Sequence, residues 1–262
     1  MQVLLTNDDG IAAPGLAALI AALAPHAGVT VVAPEVERSA KSHAITVFRA
    51  CRLTPHPERA PGGRAWSLDA NPADCVKYAL SSAFPGGPPA LVISGINRGQ
   101  NTGNNIIYSG TVAAAVEGAM YGCPAIAVSL AAQRTEEADF GLAAAFAVRL
   151  AQQVAQRGLP RGVVLNVNVP NLPPSAVRGA VWAKQGHARF TDHWAALPED
   201  NPGGTDNGHR YVRNIGESMT LSHDDRDDDC LVARGFITVT PLTYDRTHHE
   251  LYVNPPEFDL TL

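Results

Sequence analysis

The sequence predicts an α/β fold: a Rossmann-like, doubly wound, mainly parallel sheet with a C-terminal β-rich arm. Through the first 185 residues, short apolar runs alternate with longer helical patterns. Parallel neighbours need such crossovers, which cover both faces of the sheet. The later sequence is rich in Gly, Pro, Asp and His. We therefore divide the chain into a core, 1–185, and an arm, 186–262, that is not an independent domain.

The predicted elements follow from apolar pattern and helix-start chemistry. Val3–Thr6 is apolar enough for a short buried strand, and Pro14 suits the first turn of a helix over Pro14–Leu23. The remaining predictions are strands at Val29–Ala33, Ala90–Ser94, Ala125–Leu130, Gly162–Val167 and Phe236–Thr240, helices at Thr111–Tyr121 and Phe140–Arg157, and a helix end at Tyr78–Phe84.

Composition narrows the class of protein. A chain of 262 residues that is 45% hydrophobic can bury a full core. The net charge of −5 argues against binding to a nucleic-acid polymer or an anionic membrane. No apolar run approaches the roughly 18 residues of a membrane span, and the start lacks signal-peptide features, so we expect a cytoplasmic protein. The scattered cysteines predict buried, reduced thiols.

Two adjacent carboxylates, Asp8 and Asp9, follow the first predicted strand. Ligands bind beyond the carboxyl ends of strands in such sheets. Like charges placed there repel each other unless a cation neutralises them. A second interpretation stays open, because Asp9-Gly10 is also a turn sequence in which an Asp side chain caps the next helix.

Two further polar loops follow predicted strands. Residues 38–43 offer hydroxyls, cations and an imidazole to an anion or a metal-bound ligand, although surface loops often have this composition. Residues 94–105 combine glycines, which let backbone amides approach a ligand, with the side-chain amides of Asn97 and Asn101. Both loops are therefore expected at the same edge of the sheet as the Asp pair.

The segment Ser109-Gly110-Thr111 leads into a predicted helix. Free N–H groups and the helix dipole favour a phosphate at such a start, whereas hydroxyls there can also serve only as caps. Neither a Walker loop nor a dinucleotide fingerprint is present, so ATPase and dehydrogenase functions lose support.

A hard-ligand set can be assembled from the strand ends. It is suited to one Mg²⁺ or Mn²⁺ with open positions for water and phosphate. Its oxygen donors are Asp8, Asp9, Ser39 and Asn97.

The histidines of the tail and its acidic run do not indicate a functional site. Its histidines lack the spacing of a zinc site, and the acidic run 224–229 is typical of a solvated loop. Surface or tail-packing roles are therefore expected for His187, His193, His209, His223, His248 and His249.

Taken in order, these motifs closely resemble the SurE family of survival-protein nucleotidases. The resemblance extends through residues 71–76, 165–170 and 235–242, hence over most of the chain. The motifs that carry it are Leu5-Thr6-Asn7-Asp8-Asp9-Gly10, Arg38-Ser39, Ser94-Gly95-Ile96-Asn97, and Tyr108-Ser109-Gly110-Thr111 with Glu117-Gly118.

The resemblance implies phosphomonoester hydrolysis of nucleoside 5′- or 3′-monophosphates, with short polyphosphate as a secondary substrate. It also implies an arm exchanged between subunits of a homodimer or homotetramer. The implied metal ligands are Asp8, Asp9, Ser39 and Asn97, with catalytic roles for Asp8, Asp9 and Asn97; we add phosphate contacts at Asn101, Ser109, Gly110 and Thr111.

The chain departs from the family pattern in three places. Asn71 stands where Thr is usual, Asp227-Asp228 replaces a common Thr-Asp pair, and residues 255–258 stand where many relatives carry a helix. The last departure bears on the geometry of the oligomer.

Our mechanistic hypothesis is in-line attack by water, with Asp8 as general base or phosphorylated nucleophile left open. Two other classes remain: a non-catalytic nucleotide or phosphate sensor, and a flavodoxin-like small-molecule-binding protein in which the Asp pair is a turn.

Overall fold

The computed structural model describes residues 1–132, 138–197, 205–206, 209–216, 218–219 and 224–256. Fifteen strands lie within these residues. The first eight are β1 (Gln2–Thr6), β2 (Gly28–Pro34), β3 (Leu53–Pro55), β4 (Ala65–Leu68), β5 (Leu91–Arg98), β6 (Ala125–Ala131), β7 (Val163–Pro170) and β8 (Ala180–Trp182). The others are β9 (Arg189–Phe190), β10 (Trp194–Ala196), β11 (Thr205–Asp206), β12 (His209–Arg210), β13 (Val212–Asn214), β14 (Ser218–Met219) and β15 (Ile237–Thr243).

The main sheet contains nine of these described strands, in the order β3-β4-β2-β1-β5-β6-β7-β15-β8. Its neighbours are parallel except at β3–β4 and β7–β15. The predicted mainly parallel, doubly wound sheet is therefore confirmed. From β1 the chain winds outward through β2 and later returns to β5 on the other side of β1, which opens a crevice between β1 and β5.

Helices cover both faces of the sheet. Leu4 of β1 faces the α2 and α3 side, whereas Val3 and Leu5 face the α1 and α4 side, as the two-residue period of a strand requires. The described helices are α1 (Pro14–Leu23), α2 (Pro72–Tyr78), α3 (Gly110–Met120), α4 (Gly141–Arg157), α5 (Asp228–Ala233) and α6 (His249–Val253). Both faces are thus removed from water.

Most predicted core elements lie close to their observed bounds. The strand predicted at Ala90–Ser94 instead runs on to Arg98, with a register shift against β6 between Ser94 and Asn97. β3 and β4 were not predicted. Asn97 therefore lies in the end of a strand rather than in the loop after it.

The tail requires a correction. The acidic run is not a solvated loop throughout, because Asp227, Asp228 and Asp229 are at most 2% exposed and lead into α5. β15 returns from this region into the main sheet. The boundary at residue 185 stays a prediction.

Several smaller expectations can also be compared with the structure. None of the four cysteines is in a disulfide, although only Cys75 and Cys123 are buried. The described tail histidines whose exposure is defined, 187, 193, 248 and 249, all lie on the surface, and His223 lies outside the described residues. No described helix combines the length and apolarity needed to cross a bilayer.

Candidate functional site

The Asp pair lies at the crevice between β1 and β5. Asp8 is 4% exposed, and the Thr111 hydroxyl at the start of α3 donates a hydrogen bond to its Oδ1. Burial raises the pKa of Asp8 to about 6; the charge of Asp9 adds to this rise, and the Thr111 hydrogen bond opposes it. The carboxylate is therefore held in a place that disfavours negative charge unless a cation is added.

Asp9 connects β1 to the end of β5. Its Oδ2 accepts a hydrogen bond of 3.1 Å from the backbone N–H of Arg98. Burial raises its pKa, and the Glu37 charge adds to that effect against the Arg98 hydrogen bond. The neighbouring Asn97 donates its amide N–H to the Gly99 carbonyl at 2.7 Å, which turns its amide oxygen away from that contact.

Ser39 lies in the loop after β2. The backbone N–H of Arg38 donates to the backbone carbonyl of Asp8 at 2.7 Å, so this loop runs directly beside the Asp pair. The Ser39 hydroxyl is exposed and donates to Glu37 at 2.6 Å. The loop is also fastened to the segment before α3, because Ser42 donates from its hydroxyl to the Ile107 carbonyl at 2.7 Å.

The start of α3 completes this edge of the site. Ser109 is the N-cap, and its hydroxyl oxygen accepts the Val112 N–H at 3.1 Å, so the capping interpretation holds for this residue. The hydroxyl proton remains available to a ligand. A Cβ placed on Gly110 would lie 2.9 Å from Asp8 Oδ2, which shows how closely the helix start approaches the carboxylate.

Asn101 is held more firmly than the sequence suggests. Its side-chain N–H donates to the buried Ser129 hydroxyl at 2.8 Å, while Asn166 and Asn168 bind its backbone. The amide thus directs its nitrogen toward Ser129. A hydroxyl can either donate or accept a hydrogen bond. The contact is therefore also satisfied when the Asn101 amide is rotated so that its oxygen faces Ser129, and its N–H groups then point away from Ser129.

One cluster of charged side chains around a buried carboxylate, beside the site, was not predicted. Glu117 on α3 is 2% exposed, with His43 at 2.7 Å and Lys77 at 3.1 Å from its carboxylate oxygens. Burial raises its pKa, but the hydrogen bonds to His43 and Lys77 together outweigh burial and lower it. In the sequence Glu117 stands out only as part of the Glu117-Gly118 motif, since a helical Glu carries no sequence sign of such partners.

The site brings together Asp8, Asp9, Arg38-Ser39 and the end of β5, as the strand-end argument predicts. In the described part of the chain, no group of three or more His, Cys, Asp or Glu side chains could hold a metal. The candidate set has only two carboxylates and depends on a hydroxyl and an amide for the rest. Such all-oxygen sets suit hard cations that keep several waters.

The chain is similar to known proteins over most of its length. The family model described as "Survival protein SurE" matches residues 3–192. A protein of Symbiobacterium thermophilum named 5′-nucleotidase SurE is 43% identical over 263 residues, covering 99% of this chain and 98% of its own. The protein of the same name from Syntrophobacter fumaroxidans is 42% identical over 252 residues, covering 96% of each.

A solved structure resembles this fold over nearly its whole length. The crystal structure of the SurE protein from Aquifex aeolicus superposes with a TM-score of 0.82 at 30% identity. The match covers 97% of this chain and 98% of that chain. The arm region is thus included in the similarity.

Proposed function

The chain belongs to the SurE family, and from that premise we propose that it is a metal-dependent phosphomonoesterase that hydrolyses nucleoside 5′-monophosphates to nucleoside and phosphate. The observation that carries the proposal is the Asp8 carboxylate, buried against Thr111 at the start of α3. This contact brings the acidic pair next to a helix start that favours phosphate. The relatives named 5′-nucleotidase support the reaction.

We further propose 3′-monophosphates and short polyphosphate as additional substrates. The same helix start would receive a terminal phosphate whichever group carries it. A panel of nucleotides and a short polyphosphate, assayed with Mg²⁺ or Mn²⁺ and again with EDTA, ranks these substrates directly.

The donor chemistry fits one divalent cation, Mg²⁺ or Mn²⁺. The pKa values of the neighbouring Asp8 and Asp9 carboxylates are raised, which means that their ionised forms are disfavoured. A bound cation would stabilise these ionised forms. Asp8, Asp9, Ser39 and Asn97 would hold it. When bound, such an ion supplies Lewis-acid polarisation of phosphoryl oxygen and lowers the pKa of water.

The chain's own groups bind and orient the phosphoryl group. We propose that its non-bridging oxygens contact the start of α3, at the Ser109 hydroxyl, Gly110 and Thr111, and the side chain of Asn101. Thr111 keeps Asp8 in one orientation through its hydrogen bond to Oδ1. Water is our choice of nucleophile; acid-quench trapping of a phosphorylated Asp8 would overturn that choice.

The decisive variant is Asp9→Asn. It removes one carboxylate charge but preserves the side-chain shape and an oxygen that can accept the Arg98 N–H. We expect metal-dependent phosphate release from AMP or GMP to be nearly abolished, with an unchanged circular dichroism spectrum.

The control is Glu58→Gln, which removes one charge from a side chain that is 64% exposed. The ion-pair partners of Glu58 are His56 and Arg59, and neither belongs to the proposed site. It should retain wild-type turnover. Wild-type turnover by Asp9→Asn would refute the metal assignment. Nucleotide binding without phosphate release by the wild type, with either metal, would instead establish the sensor.

A further inference from the structure

Strand β7 carries two asparagines toward the loop that contains Asn101. Asn166 and Asn168 are two residues apart, so they face the same side of the strand. Both are fully buried. Neither belongs to the proposed metal or phosphate set, so their amides need a separate explanation.

The two amides bind one residue's backbone. The Asn168 Oδ1 accepts the Asn101 N–H at 2.8 Å, and the Asn168 side-chain N–H donates to the Asn101 carbonyl at 3.0 Å. Asn166 donates to the same carbonyl at 2.8 Å. A side-chain amide that pairs with both backbone groups of one residue fixes that residue as a neighbouring strand would.

The side chain of Asn101 is fixed as well. Its contact with the Ser129 hydroxyl, at 2.8 Å, comes from β6, the strand next to β7. Backbone and side chain are therefore held from two adjacent strands of a rigid sheet. Groups held in this way keep their position when a ligand binds, which lowers the cost of reaching a reactive geometry.

Stability alone explains this arrangement poorly. Among the described residues, the buried Asn166 Oδ1 has no hydrogen-bond partner, and burying an unpaired polar atom is unfavourable. An apolar side chain at this sheet position would avoid that cost. The amides are thus better explained by what they hold than by their own packing.

We propose that Asn168, assisted by Asn166, is a positioning residue for phosphomonoester hydrolysis, because it fixes Asn101 against the phosphoryl group. The inference rests on the proposed function, in which Asn101 contacts phosphate. It assigns to β7 the placement of the phosphate contact, whereas β1, β2 and β5 place the metal ligands.

The test is Asn168→Ala, assayed with AMP and Mn²⁺. Releasing Asn101 should lower kcat/KM by about 10- to 100-fold, the effect of a displacement on the order of 1 Å at a reacting group. The inhibition constant for inorganic phosphate should rise with it. The Kd for Mn²⁺ should stay unchanged, because the metal ligands are not touched.

Thr240→Val is the matched control. Thr240 lies opposite Asn166 on β15, is 1% exposed, and has a hydroxyl without a partner among the described residues. It is a buried polar group at the same depth with no hydrogen bond to Asn101. This variant should keep wild-type kcat/KM and phosphate inhibition.

Asn166→Ala is the second variant, since it removes only one of two donors to the Asn101 carbonyl. It carries the test if Asn168→Ala does not fold. A lower Tm with unchanged kcat/KM and phosphate inhibition in the folded variant overturns the inference and leaves the nucleotidase proposal standing. A wild type inactive with AMP under either metal overturns both.

Discussion

At the scale of the residue, the site depends on how closely a helix start approaches one carboxylate. Gly110 has no side chain, and this lets α3 begin against Asp8. A Cβ there would lie 2.8 Å from Asp8 Cβ and 2.9 Å from its Oδ2, closer than real Cβ contacts are found. The absent methyl group is thus part of the site's geometry.

Gly110→Ala should displace the Asp8 carboxylate while keeping the fold. Alanine favours helix by about 0.5–1 kcal/mol over glycine, which offsets part of the crowding. We expect kcat/KM for AMP to fall about 100-fold, the scale of an ångström-sized displacement at a reacting group. Steady-state kinetics and urea unfolding measure the two effects separately.

Gly86→Ala serves as the comparison, because a Cβ at Gly86 meets nothing within 4 Å and its backbone is not left-handed. That variant should match the wild type in both measurements. Equal activity of Gly110→Ala and Gly86→Ala would show that the close approach to Asp8 is irrelevant to turnover.

At the scale of the element, α5 connects the tail to the loop that carries Asn101. Asp228, in its first turn, is fully buried, and its carboxylate accepts N–H groups from Gly103 at 3.1 Å, Gly186 at 3.0 Å and Asp229 at 2.9 Å. One side chain thus ties together three segments that lie far apart in sequence.

This carboxylate predicts a specific dependence of stability on pH. Burial raises the pKa of Asp228 from 3.8 to about 6, against the lowering effect of its backbone hydrogen bonds. The folded state therefore binds the proton more tightly than the unfolded state. The stabilisation from this group is full below pH 3.8 and is lost as the pH rises through about 6.

Asp228→Asn removes this titration. The free energy of unfolding of the wild type, minus that of the variant, should fall by about 2–3 kcal/mol between pH 4 and 7. Other groups, including Asp8, cancel in this difference. Urea unfolding at several pH values measures it, and a difference independent of pH would rule out the raised pKa.

The sequence predicts the strands around the site but not β3 and β4. The strands around the site were found because each is an apolar run before a polar loop, and parallel strands bring such loops to one edge. β3 and β4 have no recognisable strand pattern, because they are short, contain Thr54 and Ser67, and lie among prolines and glycines. Local pattern cannot recognise a strand stabilised mainly by its neighbour.

Side-chain roles were harder to predict than elements. The local charge pattern suggested solvent around Asp228, whereas its partner Gly103 lies 125 residues away in sequence. Asn166 and Asn168 show strand periodicity, but their spacing cannot name the residue they bind. Such contacts depend on tertiary distances that a single sequence does not contain.

At the scale of the whole molecule, the arm exposes apolar side chains. β10 pairs with β13 and β9 with β14, so the arm forms short ribbons apart from the main sheet. Trp194 is 63% exposed and Val212 55% exposed on these ribbons. Apolar groups exposed together often mark a surface that binds another protein.

We expect the chain to form a homodimer or homotetramer through this arm. Burying one large apolar side chain contributes about 1.5–3 kcal/mol, so Trp194→Arg should shift the assembly toward the monomer. Light scattering coupled to size exclusion gives the mass of each form. A wild type that is monomeric at all concentrations tested would contradict the expectation.

β15 has a consequence for how the chain is made. It pairs with β7 inside the sheet, yet residues 171–236 must be synthesised before it emerges. At about 5–20 residues per second, the nascent chain leaves the free edge of β7 without its final partner for several seconds. An open edge is a template for aggregation. The free edge of β7 is therefore open to pairing with other chains during that interval.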